Sequence, residues 1–240
     1  MRRSLTALLV VGLISISTRE AAAQPSASDV AAYAALLSTP VGGLTPIMVA
    51  PGTKGEKAFN SLAGRYSHFS CDGCTGSNTF GGTYYRQAGM NAAVAATAAY
   101  GTCDGCDGTL MLGADVQSTL WDNAAAKSTT RMSVNLQGNL GWGHAGGTTD
   151  ANALSVAIGA PLAIAMQQSN KSSFSLFVTP GFGWGRLSSG GASESGTRPI
   201  VGAGAAWQAA GGWGIHAGFN KVFIENGGQS IGAGFSYRLP

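Results

Sequence analysis

The chain has 240 residues, 14 basic and 11 acidic, and only 10% are charged. An ordinary soluble domain carries about 25% charge, so a wet surface over the whole molecule is hard to build from this composition. Removing a 23-residue leader with Arg2, Arg3, Arg19 and Glu20 leaves 11 basic against 10 acidic residues, a balance that gives no reason to expect a nucleic-acid partner.

Met1–Arg2–Arg3 is basic, Leu5 to Ser15 is apolar, and Ala21–Ala22–Ala23 has the small residues a signal peptidase needs. Residues 1–23 are therefore expected to be a cleaved signal peptide. The apolar run falls short of the roughly 20 residues of a spanning helix. Residues 24–57 are rich in Ala, Pro, Ser and Thr. Ser28 to Leu37 suits a short helix, and Pro40, Pro46 and Pro51 break any regular element beyond it. This stretch reads as a periplasmic leader, a plug-like segment or a flexible tail.

From residue 58 to 240 the chain reads as strands. The clearest stretch runs from Thr109 to Trp142. Leu110, Leu112, Ala114, Val116 and Leu120 share one face, with Thr109, Asp115, Gln117 and Thr119 on the other. After a polar turn, Met132, Val134, Leu136, Leu140 and Trp142 alternate with Arg131, Ser133, Asn135, Gln137 and Asn139. A period of two means β-strand, and fully apolar against fully polar faces means strands that separate oil from water. No apolar run after the leader is long enough for a helical span, so a membrane form must be built from strands.

Ten segments of about the crossing length are expected: 58–69, 78–88, 90–101, 109–121, 129–143, 152–166, 173–187, 199–209, 212–224 and 229–239. Arg65 and Arg86 spoil the lipid face of the first two, so an eight-stranded form starting at Met90 is the structural alternative. Pro161 and Pro180 fall inside predicted strands and require bulges or strand ends there. Short polar turns are expected around Gly89, Asp122–Thr129, Gln167–Ser172 and Ala210–Gly211. Longer Gly/Ser/Thr-rich loops are expected at 70–77, 102–108, 144–151 and 188–198. The reading is an all-β, antiparallel transmembrane β-barrel of the bacterial outer membrane.

Ile231, Ala233, Phe235, Tyr237 and Leu239 are apolar at every second position up to the C-terminus. This resembles the terminal signal by which outer membrane β-barrel proteins are recognised for assembly. Such proteins usually finish on an aromatic residue; here Leu239 takes that place and Pro240 comes after it. Trp121, Trp142, Trp184, Trp207 and Trp213 fit interfacial girdles. The resemblance is to small porins and outer-membrane-protein-A-like barrels, with no one family singled out. It implies outer membrane lipid and the barrel assembly machinery as partners, and it carries over no catalytic residue.

Cys71–Asp72–Gly73–Cys74 and Cys103–Asp104–Gly105–Cys106 are the strongest local motif. Two such pairs suit a tetrahedral zinc site. Export to an oxidising compartment turns the reading toward disulfides, within each pair or between the two loops. Asp72, Asp104 and Asp107 read as turn formers rather than calcium ligands. Asp115, Arg131, Asn135, Gln137, Asn139, His216, Asn220 and Arg238 are expected in the lumen, either as a polar pathway or as a network filling a narrow barrel. His68, His144 and His216 are the only histidines. Asp150 shares a predicted loop with His144, and no nucleophile is fixed beside them. No enzymatic activity, metal or cofactor is expected. The expected role is a narrow porin for small polar solutes or a structural membrane protein. The alternative is a surface-binding barrel acting through disulfide-stiffened outer loops.

Overall fold

The computed structural model describes residues 59–70, 76–87, 92–103, 108–123, 129–146, 150–223 and 228–239. The signal and leader expected before residue 58 lie outside these residues, as do Cys71, Cys74 and Cys106. Cys103 is the last residue of a strand whose backbone alone is described there.

Eleven antiparallel strands form one sheet that closes on itself. They are β1 (Asn60–Ser70), β2 (Ser77–Gln87), β3 (Ala92–Cys103), β4 (Thr109–Asp122), β5 (Thr130–Ala145), β6 (Ala151–Gly159), β7 (Leu162–Gln167), β8 (Ser173–Ser189), β9 (Ala192–Gln208), β10 (Trp213–Val222) and β11 (Gln229–Arg238). Apart from β6 and β7, neighbours in sequence pair with each other, and β1 pairs with β11 to complete the ring. Both β6 and β7 lie between β5 and β8, so the eleven strands occupy ten places in the wall. The ten-place expectation is met. The eight-stranded alternative is overturned, because β1 and β2 are what close the ring.

The stagger is set by the register. From Gly204 on β9, paired residues lead through Gly218, Gly232, Ser67, Thr79, Gly101, Thr109, Ala145, Ala151 and Ser189. Ser189 pairs with Ala192, back on β9 and twelve residues from the start. Ten places with that stagger imply a strand tilt of about 40° and a width of about 20 Å between opposite backbones.

The outside is apolar all the way round. Every strand contributes at least one exposed large apolar residue, from Leu62 on β1 to Phe235 on β11, and Leu120 and Ile231 are both 64% exposed. The inside is polar and buried. A soluble monomer rarely shows an apolar patch beyond a few hundred Å². A closed belt of this kind needs lipid, and closure is what allows strands to be there, since every ladder hydrogen bond finds a partner.

Four expectations are corrected. Arg65 does not spoil a lipid face: alternation from exposed Leu62 and Tyr66 turns it inward, while Arg86 faces out near the end of β2. The loop expected at 188–198 is a two-residue turn, Gly190–Gly191, with φ of 57° and 84°. β8 and β9 run on to Ser189 and Ala192, the longest hairpin of the barrel. The alternation of short turns with longer loops is also absent. Connections at the end carrying both termini span 88–91, 123–129, 168–172 and 209–212; those at the other end span 71–76, 104–108, 146–150, 190–191 and 223–228. Strand pairing takes up residues that composition alone assigns to loops. The segment 152–166 is divided into β6 and β7, which is the remaining correction.

That division explains the two prolines. Pro161 sits in the gap between β6 and β7. Pro180 lies inside β8 and keeps its pairing with Val201. Its carbonyl accepts from Ala160 N at 2.9 Å, so its missing N–H also faces the gap, where no strand residue awaits it. Pro161 O accepts from Asn135 N at 2.8 Å.

Candidate functional site

The inner face gathers the buried polar side chains of the wall. Alternation along β4 and β5 puts Asp115, Gln117, Ser133, Asn135, Gln137 and Asn139 inside, all buried. Asn135 is 0% exposed. Its Nδ2 donates to Ser133 Oγ at 3.2 Å and to Pro161 O at 3.4 Å, and its Oδ1 accepts from Thr119 Oγ1 at 2.9 Å. Asn139 Nδ2 donates to Asp115 Oδ1 at 2.7 Å. On the adjoining strands Thr83 and Thr97 share a hydroxyl hydrogen bond of 2.9 Å, and Ser155 is 0% exposed. Little of this arc is open to water, and several of its polar groups are paired with one another.

Across the barrel many inner positions of β8 to β11 are glycine. His216 is 8% exposed, and its ring lies on Gly234, where an added Cβ would come within 2.5 Å of its Nε2. Phe177 covers Gly204 in the same manner, with Cζ 2.6 Å from an added Cβ. Arg65, which sequence patterning did not select, lies within electrostatic reach of Asp115 and His216. Glycine flanks it on both sides, Gly81 and Gly234 being its register partners, which gives the guanidinium room to lie inside. The parity of Leu62 and Tyr66, both on the face opposite Arg65, was the sequence signal that could have found it.

A second group gathers at the end of the barrel that carries the termini. Arg131 Nη2 donates to Asp122 Oδ2 at 2.5 Å. Arg238 sits over the Phe59 ring at 3.8 Å, and Phe59 packs on Tyr85 and Ala93. Asn220 also takes an inner position, toward the opposite end of β10. The eight expected lumen residues therefore share one face without forming one cluster.

The histidines are dispersed. His68 Nδ1 lies 3.0 Å from Asn78 Oδ1, which also accepts from Tyr66 OH at 2.7 Å, on the outer wall of β1 and β2. His144 Nδ1 lies 3.1 Å from Asn152 Oδ1 and 3.6 Å from Asp150 Oδ1, on the outer wall of β5 and β6. His216 is inside. Among the described residues no three His, Cys, Asp or Glu side chains gather. Strands β1 and β3 both end at the side of the barrel away from the termini; of the two cysteine motifs, only the backbone of Cys103 falls within the described residues.

Trp121, Trp207 and Trp213 stand near the end that carries the termini, and Trp142 and Trp184 near the other. With the closed ring and the apolar belt, these rims fix the environment. The chain is a β-barrel of the bacterial outer membrane.

No protein-family model matches the chain, and no curated protein sequence does. Several solved structures share its outline. The attachment invasion locus protein of Yersinia pestis is 15% identical, over 76% of this chain and 97% of that one, with a TM-score of 0.34. The translocator domain of the autotransporter NalP from Neisseria meningitidis is 14% identical, over 91% and 100%, with a TM-score of 0.39. The outer membrane protease OmpT from Escherichia coli is 6% identical, over 76% and 96%, with a TM-score of 0.39. The placement in the membrane rests on this chain's own pairing and faces.

Proposed function

We propose that the barrel is a non-enzymatic, structural element of the outer membrane with a packed polar interior rather than an open porin. The observation behind this reading is the buried inner arc. Asn135, Ser155, Gln117 and Asp115 are between 0% and 6% exposed, although a backbone ring about 20 Å wide could hold water. Long amide side chains fill it from one wall, while Phe177 and His216 lie against glycine on the other. An enzymatic reading would need a nucleophile, base and orienting group within reach of each other, and the three histidines stand in three separate places. A surface-binding role would fall to the wall and rim, because the outer connections are two to six residues long.

The glycine-lined positions of β8 to β11 favour a second reading, a narrow polar path beside them. Planar-bilayer recording on the full chain, folded as judged by heat-modifiable gel migration, separates the two. A packed interior gives insertion without reproducible conductance steps. Steady steps that change on Asp115→Asn would establish the path and overturn the packed reading.

A further inference from the structure

Within its strands the lipid-facing wall carries charge of one sign. Its outward charged side chains in the described strands are Arg86, Arg186 and Lys221. The strand carboxylates turn the other way. Asp115 is buried inside, Asp122 pairs with Arg131 opposite inward Ser133, and Glu194 is in register with inward-alternating Leu187. Arg86 lies at the end of the termini, and Arg186 and Lys221 at the other.

Arg186 has the more developed setting. It is exposed, two residues beyond Trp184 in the outward row of β8, and in register with Leu154 and through it with Trp142. Its Nη2 donates to Ser193 Oγ at 3.0 Å, which holds one edge of the guanidinium against β9. His144 is the next outward residue of β5 beyond Trp142. The two rings are stacked, with centroids 6.0 Å apart and an interplanar angle of 3°. Indoles mark the boundary between hydrocarbon and headgroups, so a cation one outward step past them lies at headgroup depth. A guanidinium there presents a planar fork that fits phosphate with two parallel hydrogen bonds.

We propose that this patch, centred on Arg186 and flanked by Trp142, Trp184 and His144, binds the phosphate of a net-negative lipid in the outer leaflet. The charge of the wall favours that occupant: the outward charges within the strands are basic, and the outward carboxylate beside the patch, Asp150 just before β6, lies 3.6 Å from His144, so the guanidinium of Arg186 faces an anionic headgroup with only Ser193 as its side-chain partner among the described residues. The proposal goes beyond the packed-interior reading and stands whether or not the lumen conducts.

Native mass spectrometry of the full chain tests it, with detergent micelles doped with either phosphatidylglycerol or phosphatidylcholine. The parent is expected to retain phosphatidylglycerol about fivefold better, the effect of one basic side chain at an anionic surface. R186Q is expected to lose most of that preference, and R186K to keep part of it. K171Q, which removes a cation from a turn at the opposite end, is expected to match the parent. Heat-modifiable migration confirms that each variant is folded. Equal retention of the two lipids by the parent would overturn the proposal, as would equal anionic-lipid retention by R186Q and parent, or a loss in K171Q as large as in R186Q. Displacement of the bound lipid by millimolar inorganic phosphate would mark a bare anion site and would also overturn it.

Discussion

The inner face of β3 to β5 and the inner face of β8 to β11 share one barrel, one tilt and one apolar exterior, yet they are built from different residues. The first places Thr97, Asp115, Gln117, Asn135, Gln137 and Asn139 inside and seals itself through side-chain hydrogen bonds. The second places Gly183, Gly202, Gly204, Gly214, Gly218 and Gly234 inside and lets Phe177 and His216 lie flat on the backbone. The membrane does not demand this difference, because lipid sees only the other face. What it shows is a division of volume. One wall supplies the filling and the other recedes to accept it, so the two arcs should fail in opposite ways when side-chain size is changed.

The largest effect is expected on the receding wall. A Cβ at Gly204 would meet Ala217 O at 2.5 Å and Phe177 Cζ at 2.6 Å. Gly204→Val should cost about 3 kcal/mol in urea unfolding from lipid vesicles, the upper range for overpacking. Adding Phe177→Ala removes the ring but not the backbone carbonyl, so it should restore only part of the loss. Full restoration would mean that the ring alone requires glycine, and that the close approach of β9 and β10 plays no part.

On the filling wall the expected failure is removal. Asn135→Ala takes away an amide that serves Thr119, Ser133 and Pro161 with no water to replace it. The expected loss is about 2 kcal/mol by the same unfolding assay, the cost of leaving buried polar groups without partners. A loss below about 0.5 kcal/mol would show that the arc tolerates gaps, and the packed-interior reading would lose its main support.

Much of the wall was legible in the sequence, and the reasons are physical. Leu110 to Leu120 and Met132 to Trp142 alternate because each strand meets lipid on one side only, and that contrast imposes a period of two. The ten segments derive from it, as do the inner positions of Asp115, Asn135 and His216. Arg65 was misjudged because its outward neighbours Leu62 and Tyr66 are separated by Gly64, which weakens the apolar row. In the fold the Phe235 ring covers Gly64, so the lipid face there is supplied by a neighbouring strand. The upper part of β9 was missed because Ser193, Glu194, Ser195 and Thr197 are exposed and polar. Pairing with β8 holds them, and pairing leaves no hydropathy signature. The Gly190–Gly191 dipeptide was the local sign of a tight hairpin.

The smallest effect concerns that hairpin, and it separates two reasons for glycine on the same side of the barrel. Around Gly190 and Gly191 an added Cβ would meet nothing within 4 Å, so space is not what requires them. Their φ values of 57° and 84° are the reason, since an L side chain pays for the left-handed region through its own backbone. Gly191→Ala should therefore cost about 1 kcal/mol, a third of the Gly204→Val effect. Gly190→Asn should cost less, because asparagine visits this region readily and the site fits an Asn-Gly turn. Amide hydrogen exchange across Ser188 and Ser193, two residues facing each other in the ladder, reads the result. Faster exchange confined to the hairpin would mean that the turn stabilises only the projecting ends of β8 and β9. Faster exchange reaching Val178 and Ala203, which pair deep in the wall, would mean that the hairpin sets the register of both strands. The first outcome is expected, because ladder pairing with β6 and β7 on one side and β10 on the other holds those residues independently of the turn.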